Sequence, residues 1–78
     1  MTERDSPRSM MPRLVVLAPQ PAHPPFRVVE ADGQVVGEAT NVKEVVAVAL
    51  ALGLTAEDLD DPDKVLWVGG DQYSWTPR

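Results

Sequence analysis

Three features predict a small α+β fold: a hairpin signal at Asp32-Gly33, a helical stretch over about residues 42–52, and two short strand-like runs near the C terminus. The expected architecture is a small antiparallel sheet in β-β-α-β-β order with the helix packed on one face. An extra N-terminal strand over residues 13–17 stands as an option. The expected division is a flexible, Pro-rich arm over residues 1–25 and a single small α+β domain over 26–78.

The arm is read from composition. Six of the eight prolines (Pro7, Pro12, Pro19, Pro21, Pro24, Pro25) precede Phe26. Residues 1–12 are polar and proline-punctuated, and disorder is expected there. Arg13-Leu14-Val15-Val16-Leu17 has strand character, on the edge of its own sheet or on that of a partner. From Pro19 to Pro25 each proline pushes its predecessor out of the helical region, so an extended linker follows.

Phe26–Ala31 and Gln34–Ala39 flank Asp32-Gly33, a turn dipeptide that tolerates positive φ at both positions. An uninterrupted register from that turn pairs Ala31 with Gln34, Val29 with Val36, and Arg27 with Glu38. The last pair sets opposite charges across from each other. Phe26, Val28, Val35, Gly37 and Ala39 then form the face toward the helix.

Asn41 reads as the helix N-cap with Glu44 as its reciprocal partner, and Gly53 reads as the C-terminal stop. At 3.6 residues per turn, Val42, Val45, Val46, Ala49, Leu50 and Leu52 face the hairpin. Ala47, Val48 and Ala51 are left on the other side, where small side chains allow close helix–helix approach. Thr55–Leu59 reads as a capped turn stopped by Asp60-Asp61-Pro62. Residues 64–68 read as a strand, Gly69-Gly70-Asp71 as a turn, and residues 72–76 as a return strand. In that arrangement Leu66 shares a face with Tyr73 and Trp75, and Val65 and Trp67 lie on the other.

The 78 residues carry a formal net charge of −5, and the acidity is concentrated after residue 25. There, Arg27, Lys43, Lys64 and Arg78 face ten carboxylates. A surface of that sign repels phosphates, so nucleic-acid binding by the folded part is not expected. There is no Cys and a single His, His23 in the proline linker, which removes disulfides and most structural zinc chemistry. A chain this small without such staples often self-associates. Leu14–Ala18 is too short for the apolar part of a signal peptide, and a cytoplasmic, non-membrane protein is expected.

No motif carries chemistry. The acids Asp58, Asp60, Asp61 and Asp63 lack the glycine and distant glutamate of a calcium loop, and Pro62 occupies a ligand position. Ala49 to Thr55 resembles the tight turn of bacterial helix-turn-helix units, but the following segment is acidic and broken by Pro62. Gly69-Gly70 lacks the lysine of a phosphate loop. Ser6, Ser9 and Ser74 have no base motif beside them.

The remaining signal is aromatic. Trp67, Tyr73 and Trp75 are three of the four aromatic residues in the chain. With Asp71 they are the candidate partner-binding residues, since Trp and Tyr are enriched at interface anchors. Ala47, Val48 and Ala51 are the candidate dimerisation residues. The expected function is a small, acidic, non-catalytic interaction or regulatory module. It would be homodimeric, take a protein partner, need no metal or cofactor, and have an arm that orders on assembly. The alternative is a small DNA-binding regulator that uses the basic arm residues Arg4, Arg8 and Arg13.

Overall fold

The structure is a computed structural model and describes residues 12–77. Its strands are β1 (Leu14–Val16), β2 (Arg27–Ala31), β3 (Gln34–Ala39) and β4 (Val65–Trp67); the helix α1 (Val42–Ala51) and a 3-10 turn (Ala56–Asp60) lie between β3 and β4. The fold is α+β, as expected, but the sheet is mixed. Its order is β3-β2-β1-β4, with β1 antiparallel to β2 and parallel to β4. The segment 13–17 is therefore not a peripheral or exchanged strand. It lies in the middle of its own sheet, because both neighbours supply partners for its backbone groups. From Leu14 onward the expected arm is part of the domain, and the expectation of disorder over residues 1–11 falls outside the described residues.

The hairpin closes where predicted. Asp32 and Gly33 both take positive φ, 51° and 86°, and Ala31 pairs with Gln34. The register then shifts between Val29 and Glu30, so that Val29 pairs with Gly37, Val28 with Glu38 and Arg27 with Ala39. Val36 is the surplus residue of a β-bulge. Because side chains alternate with period two, one extra residue exchanges the faces beyond it. The expected Arg27–Glu38 pair and the expected Phe26/Val28 core face are both corrected by this shift. Arg27, Val29 and Ala31 point to the buried side, together with Ala39 of β3. Val35 is exposed instead of packed.

The helix ends follow the sequence closely. Asn41 Oδ1 accepts from the Glu44 N–H at 3.1 Å, and Glu44 Oε1 accepts from the Thr40 N–H at 2.6 Å. At the other end the Leu54 N–H reaches the Ala49 carbonyl and the Gly53 N–H reaches that of Leu50, with Gly53 at φ 85°. That is the paired hydrogen-bonding of a glycine-terminated helix. Val45 and Ala49 are fully buried against Leu14, Val16, Val29, Ala39 and Val65, and Val42, Val46, Val48 and Leu52 flank them. Leu50 was expected in this contact but is 58% exposed, since the buried arc is centred between Val45 and Ala49 and runs toward Val48.

The predicted return strand over residues 72–76 does not form. Asp71 turns the chain instead: its Oδ1 accepts from the Tyr73 N–H at 2.9 Å and from the Ser74 hydroxyl at 3.2 Å. The Ser74 N–H donates to the Asp71 carbonyl. Among the described residues no helix is long and apolar enough to cross a membrane.

Candidate functional site

The bulge in β3 leaves Arg27, the first residue of β2, in the interior, fully buried with no solvent exposure. A guanidinium has five N–H donors, and all five are used here on backbone carbonyls. Nε donates to Leu17 at 2.8 Å. One terminal nitrogen donates to Asp71 at 2.7 Å and Ser74 at 2.6 Å, and the other to Val68 at 3.0 Å and Gly70 at 3.1 Å. Four of these carbonyls belong to the segment after β4, so a single side chain stands in for the strand ladder that segment lacks.

Both tryptophans complete the enclosure. The Arg27 guanidinium carbon lies 5.2 Å from the Trp67 ring centroid and 5.3 Å from that of Trp75. Each contact falls within cation–π range and gains strength where water is excluded. The indole N–H groups are also satisfied, Trp67 by the Leu59 carbonyl at 2.9 Å and Trp75 by the Gln72 carbonyl at 2.7 Å. Burial pulls the Arg27 pKa below its ordinary value, and the Asp71 charge acts in the opposite direction. An arginine starting so high stays cationic at neutral pH.

Two glycines let the chain close around this cation. Gly69 takes φ 76°, and a Cβ there would fall 2.5 Å from the Ala18 Cβ. Gly70 takes φ 137°, and its Cβ would fall 2.7 Å from the Ser74 Cβ. Glycine is required at both positions on conformation and on space.

The predicted partner-binding residues are thus gathered, but in different roles. Trp67 and Trp75 were expected on opposite faces; they lie on either side of Arg27 and pack against the core. Asp71 shapes the turn. Of the three aromatic residues, Tyr73 reaches outward, 79% exposed. Beside it runs a shallow groove of about 460 Å³ lined by Pro19, Tyr73, Trp75, Thr76 and Pro77, among others. Of the helix residues, Ala47 and Ala51 are exposed, whereas Val48 is half-buried and touches the core.

The other candidates occupy local roles. Asp58 accepts from the Thr55 N–H at 2.8 Å and pairs with Lys64 at 3.2 Å, Asp61 accepts from the Asp63 N–H, and Asp60 accepts from the Gln72 amide. Arg13 grips Asp32 with two nitrogens, at 3.3 and 3.2 Å, and reaches the Leu52 carbonyl at 3.2 Å. It ties the hairpin turn to the end of α1. Arg4 and Arg8 lie outside the described residues.

Sequence reasoning missed Arg27. The available signal was a strand-borne arginine in a chain whose only two tryptophans flank a Gly-Gly pair. Chemically, a guanidinium with every donor engaged has none left for an anionic ligand, so the cluster organises the fold. Comparison with protein families, curated proteins and solved structures finds no significant match.

Proposed function

We propose that this protein is a small, non-catalytic interaction module that docks a partner protein through its C-terminal aromatic segment, with Tyr73 as the outward anchor. The observation that carries the reading is the exposure of Tyr73 on a backbone held from beneath by Arg27. A large amphipathic side chain on a preorganised turn loses little conformational freedom on binding, and the flanking Pro19, Trp75, Thr76 and Pro77 line a groove of mixed polarity beside it. Self-association belongs to the same reading: Ala47 and Ala51 form a small-residue surface on α1 beside the exposed Leu50, with Val48 at its margin.

A photo-crosslinking amino acid at position 73 of the full chain, expressed in its native host, tests the docking. One dominant adduct is expected, and none from the same group at Glu57. The adduct's partner should bind the purified chain at least about ten-fold more weakly when Tyr73 is Ala, the loss expected of an interface anchor. Equal yields at both positions, or unchanged affinity, would reject it. Sedimentation across a concentration series tests self-association, which Leu50→Lys should abolish. A monomer throughout the series rules out that part.

A further inference from the structure

Three exposed aliphatic residues, Val35, Leu66 and Val68, lie on the side of the sheet opposite α1. In the observed register Leu66 of β4, Val15 of β1, Glu30 of β2 and Val35 of β3 form one row across the four strands. Val28 and Glu38 pair in the next row. Val35 is 64% exposed, Leu66 44%, and Val68, two residues beyond Leu66, 39%. Leu14, Val16, Val29 and Val65 point the other way, into the core beneath α1. One face of the sheet is thus covered by a helix, and the other presents flat, β-branched and leucine surface with two carboxylates set in it.

We propose that this open face docks an amphipathic helix of a partner protein whose apolar stripe is flanked by Lys or Arg. Shape and charge both select that occupant. Four strands spaced about 4.8 Å apart match the footprint of a helix of about ten residues, roughly 15 Å long. A second helix here would complete the helix–sheet–helix layering that buries both faces of a sheet. Charge disfavours a second copy on this face, because self-packing would bring its Glu30 and Glu38 close to those of the other copy. Among the described residues the cations are already engaged, apart from Lys43: Arg27 is buried, Arg13 holds Asp32, and Lys64 pairs with Asp58. Positive charge on a partner would complement Glu30 and Glu38. This proposal concerns a surface separate from Tyr73 and does not rest on the docking reading there.

The probe is a fluorescent peptide of Leu and Lys with Leu at helical spacing, titrated against the full chain by anisotropy. Its controls are a scrambled peptide of the same composition and one with Glu in place of Lys. Saturable binding is expected for the amphipathic peptide alone, with a gain of helicity by circular dichroism. Leu66→Gln and Val35→Gln should each weaken it by about ten-fold, the loss corresponding to one buried aliphatic side chain. Both positions are exposed, so the variants should fold. Glu30→Gln should weaken binding and flatten its salt dependence, whereas Tyr73→Ala should leave it unchanged. Equal binding of the scrambled peptide, no binding at all, or indifference to Leu66→Gln and Val35→Gln would each overturn the proposal. So would a dimer that Val35→Gln dissolves, which would give the face to a second copy.

Discussion

Replacing Arg27 by lysine keeps the charge and removes the fork. An ammonium supplies three donors where the guanidinium supplies five, and it cannot lie flat between Trp67 and Trp75. Two carbonyls of the C-terminal segment would lose their donors, and each buried group left unpaired costs about 1–3 kcal/mol. Arg27→Lys should therefore lower stability by about 2–6 kcal/mol, read as a urea midpoint. Arg27→Ala removes all five bonds from a domain whose whole stability is of order 4–12 kcal/mol for this length, and it should not fold. Trp67→Ala and Trp75→Ala should both be strongly destabilising, while Tyr73→Ala stays within about 0.5 kcal/mol, as surface changes do. If Arg27→Lys unfolds at the wild-type midpoint, the cage is not what holds the segment. Period-two alternation alone could not reveal the role of Arg27: either face of Phe26–Ala31 carries one charged residue and at least two apolar ones, so both looked able to pack.

At the level of elements, the bulge at Val36 decides which of those faces is inside. Val36 is half-exposed and surplus to the pairing. Deleting it would restore a continuous ladder and keep Val29 opposite Gly37 and Arg27 opposite Ala39. The deletion should therefore preserve the fold and change stability by no more than about 1 kcal/mol, whereas inserting a second residue at the same place should exchange the faces and abolish folding. The deletion has one expected drawback: β3 is an edge strand, and a bulge there discourages pairing with other chains. Light scattering on heating should show earlier aggregation for the deletion variant, and loss of the native fold on deletion would contradict the assignment. What was legible at this scale was local chemistry. Asn41 with Glu44, the glycine stop at Gly53, and the Asp32-Gly33 turn are each defined by residues within a few positions of one another. The bulge, the central place of β1 and the missing return strand depend on contacts between distant segments, of which Arg27 with residues 68–74 is the clearest. No short-range pattern encodes them. The tryptophans were flagged for their surface value, but their stacking on Arg27 needed the fold.

Across the whole molecule, acid is the perturbation that separates its two kinds of electrostatic contact. Arg27 keeps its proton throughout and contributes no pH dependence near neutrality. Asp32 and Asp58 do contribute. The side-chain bond from Arg13 holds Asp32 below the ordinary 3.8, and the backbone N–H of Thr55, aided by Lys64, does the same for Asp58. A carboxyl whose folded pKa is depressed stabilises the fold above its unfolded value, and that contribution disappears as pH falls through the folded one. The urea midpoint should therefore be level from neutrality to about pH 5 and decline below about pH 4, the range in which free carboxyls begin to protonate. Asp58→Asn should lower the plateau and shallow the acid limb, and the two curves should converge at the acid end, where the wild-type carboxyl is protonated as well. Asp32→Asn should behave in the same way, with one addition. Arg13, freed from the turn, would retain only its bond to the Leu52 carbonyl, so amide exchange should speed up at the end of α1. A midpoint that falls steadily between pH 7 and pH 5 would show that other groups govern acid stability and that these two ion pairs are surface decoration.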